Sequence, residues 1–339
     1  MDAKKLSDGR LAFTPSFGAY GIRAAQGYWL TNLQGTDTIR HRTTDPAPSA
    51  LPTDHHDYLF TTVPGDQSFR TMVSYPIVAG VDLRTMTGGL GTVNDTIADG
   101  VIQEVNDDGT ERWRWTMTDH FNPATSTFPL NFGVPPDLIP GFPDAWDVFH
   151  INAIDREPDG DYVVTVRHMD GVFRVNRNAD PQHAEGEVEW TLGTPDLAGA
   201  KRLDIKGDPW LGPKRPHDAR LEGDVLTMLD NQAGVPGRVP RAVAYRIDVA
   251  AGTATMLWEI RNPAPGGATL GSVQQTADSV VINWGAGQQP FLEELAPNGT
   301  RLMAVGLPNS GNSYRTIKSL SLIHISEPTR REEVSGMRS

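Results

Sequence analysis

Short apolar runs with alternating polar positions, separated by turn residues, recur along the chain. The clearest group spans residues 144–193, where the pair Asp159-Gly160 separates two apolar runs. An Asp-Gly pair in this position is a strong signal for a β-hairpin. Two further runs close the group, at 171–176 and 188–192. Four short strands in about 50 residues match the size of one β-propeller blade.

The same unit repeats. Similar units begin near Thr53, Lys214 and Leu270, each with a first strand, an apolar second strand, a third strand of period two, a tight turn and a fourth strand. A repeat that cannot bury both of its faces alone implies a closed ring. The sequence therefore predicts an all-β protein, a β-propeller of five or six four-stranded blades, with six preferred and the termini completing the ring or leaving it incomplete.

The repeats define the expected domain organisation. We expect a single propeller domain over residues 1–318, and its clear blades are predicted at about 53–118, 144–193, 214–261 and 270–305. One large side chain recurs at the same place in the fourth strand of each unit, as Trp115, Trp190, Trp258 and Met303. Because these residues hold a repeat position, we interpret them as packing between neighbouring blades rather than as a ligand stack.

Two segments interrupt the repeat pattern, residues 119–143 and residues 199–213, the second of which carries Trp210 and leads into His217. Residues 119–143 form an insertion rich in proline that carries Phe121, Phe128, Phe132 and Phe142. Such a loop is equally consistent with a lid or wall of a site and with a surface loop that packs on its own aromatic residues. At the other end, the run 321–330 resembles the translation of a sequencing-library adapter. We therefore expect 319–339 to be a non-native tail.

Composition narrows the function classes. The chain has 34 Gly, 26 Pro and no Cys, which fits many turns and excludes disulfides and thiolate chemistry. Its net charge of −12 disfavours a nucleic-acid partner.

No apolar run approaches the length of about 20 residues that spans a bilayer. The N-terminus lacks an apolar signal core, so the chain is either cytoplasmic as written or starts downstream of the true start. Its location and oligomeric state stay open.

Three histidines fall at nearly the same position of successive units: His56, His150 and His217. The innermost strands of a propeller line a central channel, so equivalent positions on successive blades converge on its axis. His150 and Asn152 are expected to face the same way on one strand, with Arg167 on the next. These side chains are therefore predicted to meet in space.

Clustered imidazoles serve two kinds of chemistry, metal binding and nucleophilic or acid–base catalysis. No carboxylate is expected on the histidine face, because Asp57 and Asp218 directly follow a histidine and should point to the opposite face, where they anchor a turn. A cation such as Arg167 would disfavour a metal. Arginine beside neutral histidine and asparagine suits a tetrahedral oxyanion instead.

Several motifs carry a family resemblance. HINAID, VVTVRHMDGVFRVNR and GEVEWTLG, with HHDYLF before them and RPHDARLEGDVLTMLDN after them, resemble the arylsulfotransferase family over roughly residues 54–318, and more narrowly its fungal and actinobacterial branch. The resemblance implies a six-bladed propeller that moves a sulfuryl group from an aryl sulfate ester to a phenolic acceptor. It implies a sulfohistidine intermediate, no nucleotide sulfate donor, and no cofactor or metal. Members of this family are often exported.

The resemblance also assigns roles motif by motif. It makes His217 the nucleophile and places His150, Asn152, Arg167 and His56 around it. Arg167 and Asn152 would then hold the sulfuryl oxygens, and His150 or His56 would move the proton. The insertion's phenylalanines, Trp146 and Trp210 are equally consistent with contacts to the aryl ring and with core packing. Two alternatives remain, a propeller that binds a metal or ligand through the same histidines without sulfotransfer activity, and a propeller that only mediates interactions.

Overall fold

The turn-punctuated apolar runs fold as short strands. The computed structural model describes residues 3–6, 8–14, 27–32, 34–36, 38–44, 50–51, 53–63, 65–133, 144–262, 267–287, 290–306 and 313–319. These residues form five sheets, each built around an antiparallel meander, together with four 3-10 helices. The chain is thus an all-β protein with a propeller arrangement, as the sequence predicts. The domain boundaries stay a prediction, and the expected tail lies outside the described residues except for residue 319.

The five sheets follow one another in chain order. The first sheet contains β1 (Ala3–Lys5), β2 (Leu11–Phe13), β3 (Tyr28–Thr31) and β4 (Thr38–His41). The second contains β5 (Ala50–Leu51), β6 (Tyr58–Thr61), β7 (Phe69–Val81), β8 (Asp95–Ala98), β9 (Val101–Asn106), β10 (Glu111–Thr116), β11 (Leu130–Gly133) and β12 (Asp144–Asp147).

The remaining three sheets are simpler. The third contains β13 (Ile151–Arg156), β14 (Tyr162–Val166), β15 (Gly171–Val175), β16 (Val188–Gly193) and β17 (Lys201–Arg202). The fourth contains β18 (Asp204–Lys206), β19 (Pro216–Glu222), β20 (Val225–Asp230), β21 (Arg241–Asp248) and β22 (Thr253–Arg261). The fifth contains β23 (Ser272–Gln275), β24 (Val280–Asn283), β25 (Leu292–Leu295) and β26 (Arg301–Val305). The 3-10 helices are Thr87–Gly89, Met117–Asp119, Pro123–Thr125 and Arg167–Met169.

Turn chemistry sets the hairpin registers. Gly160 adopts a φ of 105°, a left-handed value that side-chain-bearing residues rarely take, and its N–H donates to Glu157 O at 2.9 Å. The turn pairs Arg156 with Tyr162. All five residues of β14, four apolar ones and Thr165, are buried in the interior. None of the helices among the described residues is long and apolar enough to cross a membrane.

The recurrent tryptophans do pack between blades. Trp115 Nε1 donates to Gly186 O, on the third sheet's side, at 2.8 Å. Trp190 is fully buried in a cluster that includes Ala219 and Leu226 of the next sheet. Met303, at the same repeat position in the fifth sheet, is 41% exposed. The repeat position therefore has a packing function where a following sheet covers it.

The first strand of each unit faces the centre of the ring. β13 contacts both β6 and β19, and β19 contacts β23. Residues 313–319 run beside β23, where Gly271 N donates to Tyr314 O at 2.9 Å and Lys318 N to Gln274 Oε1 at 2.7 Å. From this segment the Tyr314 hydroxyl donates to Asn152 O at 2.8 Å. The beginnings of distant units are thus brought together around one axis.

An ion network ties these inner segments together. Asp57 accepts from Lys4, from Arg220 at 2.9 Å and from Arg315 at 3.3 Å. Asp218 contacts the same two arginines, at 2.5 Å and 2.8 Å. Although burial favours a neutral Asp57, the three cations hold its pKa well below the usual range. The expectation that these two aspartates anchor a turn is therefore wrong, because they bind cations of three separate segments, two guanidinium groups and the Lys4 ammonium.

The insertion is partly built into the second sheet. β11 pairs with β12, which in turn pairs in parallel with β8. Phe121 is buried against Phe173, with ring centroids 4.9 Å apart. Residues 134–143, including Phe142, lie outside the described residues. The first half of the insertion is thus a structured wall rather than a separate surface loop.

We predict that Trp190→Ala lowers the free energy of unfolding by about 3–5 kcal/mol, because the substitution leaves a large cavity between two sheets. The matched control is Met303→Ala at the exposed repeat position, which should change stability by no more than about 0.5 kcal/mol. Urea denaturation monitored by fluorescence and circular dichroism checks both. Equal effects of the two substitutions would show that Trp190 has no special packing role.

Candidate active site

His56 is paired with a buried carboxylate. It lies just before β6, and its backbone N–H donates to Asp54 Oδ2 at 2.9 Å. The same carboxylate oxygen is hydrogen-bonded to His56 Nδ1. Asp54 is held in turn by its own N–H, which donates to Val73 O at 2.7 Å. The short loop thereby fixes the imidazole, and Nε2 has no hydrogen bond to the part of the chain that the structure describes.

His150 forms a second pair of the same kind. Its Nδ1 lies 2.5 Å from Asp147 Oδ2, three residues earlier. His150 is not part of β13, because its φ is 57° and the register of β13 shifts between Ile151 and Ala153. The prediction that strand alternation aligns His150 with Asn152 is therefore wrong. A left-handed backbone at the start of the strand aims the ring instead.

The two Asp–His pairs are in contact. The rings of His56 and His150 meet edge to face, with centroids 4.7 Å apart. Burial raises the pKa of Asp54 to about 6 and that of Asp147 to about 7. Burial also lowers the pKa of His150 to about 3 and that of His56 well below its usual range. Burial disfavours a carboxylate and an imidazolium that carry separate charges. In each pair the carboxyl oxygen and the histidine Nδ1 therefore share one proton.

His217 has a different partner, a neutral amide. Its Nδ1 lies 2.5 Å from Asn231 Oδ1. The Asn231 amide nitrogen donates to Gly267 O at 2.7 Å and to Leu270 O at 3.0 Å, which turns the amide oxygen toward the ring. His217 therefore carries its proton on Nδ1, and the lone pair on Nε2 accepts a hydrogen bond from the Leu270 N–H at 3.2 Å. Burial, Arg167 and His150 lower the pKa of His217 well below its usual range, so the ring is neutral.

Arg167 lies in a 3-10 helix directly after β14. Its Nη1 donates to His168 Nε2 at 2.7 Å, and His168 Nδ1 donates to Asp147 O at 2.6 Å. His168 is therefore neutral and orients the guanidinium. Arg167 Nε is buried and has no partner among the described residues. Burial and the neighbouring Arg215 lower the pKa of Arg167 to about 10, which still leaves it charged at neutral pH.

Asn152 links two inner strands. Its Nδ2 donates to Pro216 O at 2.7 Å, on the residue before His217. Its Oδ1 is buried without a hydrogen-bond partner among the described residues. One N–H of the amide is thus used to align β13 with β19 beside His217. The second N–H is the one that could reach a bound oxyanion.

Of the aromatic residues considered in the sequence, Phe128 reaches this site. Its ring centroid lies 5.2 Å from the Arg167 guanidinium carbon and 5.6 Å from the His168 ring, which it meets edge-on. Trp210 instead lies among arginines, and Trp146 packs against the main hydrophobic core. The expectation that these two tryptophans contact an aryl ring has no support in their surroundings.

Sequence reasoning brought together His56, His150, His217, Arg167 and Asn152, but it missed their partners. It excluded carboxylates from the histidine face, whereas Asp54 and Asp147 both lie there. It also missed His168 and Asn231. The available signal was the short spacing of the aspartates, two and three residues before a repeated histidine.

Two groups of side chains could in principle hold a metal ion: Asp54, His55 and His56, and Asp147, His150 and His168. In the second group both ring nitrogens of His168 are already hydrogen-bonded, one of them to a guanidinium. A fixed cation at this distance opposes a metal ion. The donors that are left, a buried guanidinium and neutral imidazoles, fit an oxyanion better.

The fold and site define a β-propeller with a buried, cationic, histidine-lined centre. The family model for arylsulfotransferase (ASST) matches residues 76–290, and the chain belongs to this family. By family it is a transferase acting on aryl compounds. None of the curated proteins matches it.

Several solved structures align with this chain at low similarity. A protein of unknown function from Bacteroides caccae aligns over 92% of this chain and 84% of its own, at 12% identity and a TM-score of 0.44. A catalytically inactive virginiamycin B lyase from Staphylococcus aureus, solved with quinupristin, aligns over 91% and 69%, at 12% identity and a TM-score of 0.40. A streptogramin B lyase aligns over 90% and 89%, at 12% identity and a TM-score of 0.38. Similarity at this level carries no argument about chemistry.

Proposed function

We propose that this protein transfers a sulfuryl group from an aryl sulfate ester to a phenol, through a sulfated His217 and without a nucleotide sulfate donor. The observation that carries the proposal is the protonation state and hydrogen bonding of the His217 ring. It is a buried, neutral imidazole whose Nδ1 proton is donated to Asn231. The lone pair on Nε2 holds one long hydrogen bond, 3.2 Å from the Leu270 N–H, which the sulfate donor has to displace before His217 can attack. A nucleophile of this kind divides one difficult transfer into two easier steps.

In the first half-reaction, the Nε2 lone pair of His217 attacks the sulfur atom of the aryl sulfate. An N–S bond forms as the bond between sulfur and the aryl oxygen breaks, and the aryloxide leaves with the electron pair. A proton from one of the two Asp–His pairs neutralises the aryloxide as it forms. Both pairs are suited to this task, because burial brings the pKa of each carboxyl group near neutrality and each pair holds a proton that it can donate.

In the second half-reaction the same Asp–His pair acts as a general base. It takes the proton of the phenolic acceptor, whose oxygen then attacks the sulfur atom of sulfated His217. The N–S bond breaks and its electrons return to Nε2, which restores the free enzyme. Arg167 interacts with the charge spread over the sulfuryl oxygens in both steps, and the second N–H of Asn152 is available for the same purpose.

Asn231, the neutral partner of His217, determines how reactive the sulfated intermediate is. Attack through Nε2 leaves the sulfated ring with its proton on Nδ1 and a positive charge. Asn231 accepts a hydrogen bond from this proton but cannot remove it, because an amide oxygen is too weak a base. The ring therefore stays a good leaving group for the second transfer. A carboxylate at this position would take up the charge and make the sulfated ring less reactive.

We expect 4-nitrophenyl sulfate to release nitrophenolate rapidly only when a phenol acceptor is present, with formation of the new aryl sulfate. His217→Ala should abolish this release, since no other group takes the role of the nucleophile. The matched control is His183→Ala, on the periphery beside Asp180, which should leave the rate unchanged. Absorbance and product chromatography measure both. Equally rapid release to water alone would identify a sulfatase and refute transfer.

We predict a pH dependence that differs between donors. As pH rises above about 7, both Asp–His pairs lose the shared proton, because the raised carboxyl pKa values are about 6 and about 7. Sulfation by phenyl sulfate, a donor with a poor leaving group, should then slow by about tenfold per pH unit. Sulfation by 4-nitrophenyl sulfate should slow far less, because nitrophenolate leaves without a proton. Stopped-flow measurement of the first half-reaction checks this, and parallel pH profiles for the two donors would exclude a proton donor.

A further inference from the structure

Arg215 lies next to the site and is held in an unusual conformation. It precedes β19, its φ is 56°, and its backbone N–H donates to Asp170 Oδ1 at 2.8 Å. The guanidinium carbon sits 3.7 Å from the ring centroid of Phe128. On another side it packs against Gly234, where an added Cβ would come within 2.7 Å of Nη1. Backbone, ring and glycine together fix the direction of this side chain.

The guanidinium of Arg215 is not directly paired with a carboxylate among the described residues, although Asp170 acts on it electrostatically. The guanidinium makes no hydrogen bond or ion pair with them, and its Nε is buried without a partner. The nearest carboxylate, Asp170, is already bound by the Arg215 backbone and by Lys214 Nζ at 3.1 Å. Half-buried arginines elsewhere differ, since Arg177 pairs with Glu104 at 2.8 Å and Arg174 with Glu189 at 2.6 Å.

Arg215 and Arg167 belong to one cationic cluster. Both lie over the ring of Phe128, at 3.7 Å and 5.2 Å from its centroid. Burial and Arg215 together lower the pKa of Arg167, and Arg215 also contributes to the low pKa of His168. Asp170 acts electrostatically on both guanidinium groups, but its ion pair among the described residues is with Lys214. Two partly buried guanidinium groups that repel each other form a preorganised site for an anion.

We propose that Arg215 is a second anion-binding residue, which together with Arg167 holds the sulfuryl oxygens of the donor and of sulfated His217. The identity of the oxyanion rests on the proposed function, whereas the presence of an anion site does not. Arg167 lies in the 3-10 helix after β14, and Arg215 lies in the segment before β19. Charge is thereby supplied from two neighbouring blades to one tetrahedral group.

The test is binding of inorganic sulfate to the full chain, measured by isothermal titration calorimetry at low ionic strength. We expect Arg215→Gln to weaken sulfate binding by at least about tenfold, as removal of a charge-assisted contact does. Arg215→Lys should be intermediate, because it keeps the charge but not the planar fork. The matched control is Arg238→Gln, another half-buried arginine stacked on an aromatic ring, which should bind sulfate as the unchanged protein does. Circular dichroism melting verifies that each variant is folded.

Several outcomes would overturn the inference. They are an unchanged protein that binds no sulfate, an Arg215→Gln variant that binds it as tightly as the unchanged protein, and an equal loss in Arg238→Gln. A variant that keeps sulfate affinity but loses affinity for a carboxylated phenol would assign Arg215 to a substituent of the acceptor and so also overturn it. Turnover is scored separately. If sulfate binding depends on Arg215 but no sulfuryl transfer is observed, the anion site stands and the proposed function fails.

Discussion

The centre of the ring depends on one constraint, the burial of ionisable side chains away from water. His56, His150, His168 and His217 are all buried there. Isolated charges are costly in such surroundings, so the histidines are neutral and the carboxylates either share a proton or bind a guanidinium. The guanidinium groups cannot lose their charge in this way. A chain with a net charge of −12 thereby acquires a cationic site at its centre.

Because of the same constraint, the buried aspartates form two layers, one that binds histidines and one that binds arginines. Asp54 and Asp147 bind the imidazoles of His56 and His150, whereas Asp57 and Asp218 bind Arg220 and Arg315. Adjacent residues thus serve different layers, as His56 and Asp57 do. The arginine layer joins segments from both ends of the chain and supports the histidine layer. The protonation of the histidine layer therefore depends on the balance of charges in the arginine layer.

Much of this architecture could be predicted from the sequence because it rests on repetition. Period-two runs and recurrent tryptophans predict the sheets and their packing, and a histidine repeated at one position predicts convergence on an axis. What failed was the assignment of faces by strand alternation. His150 and Asp218 have φ values of 57° and 54°, and Arg167 and His168 share a 3-10 turn. Such local departures occur where the strands begin, and no periodicity reveals them. The partners Asp54, Asp147 and Asn231 were missed for this reason.

The central claim is that His217 carries the sulfuryl group, and a trapped intermediate tests it most directly. The protein is incubated with an aryl sulfate donor in the absence of a phenol, quenched in alkali, digested and mapped by mass spectrometry. The account predicts a sulfated peptide that contains His217, is lost in His217→Ala, and disappears when phenol is added before the quench. An adduct on His56 or His150, or transfer at the full rate with no adduct on any histidine, would contradict it.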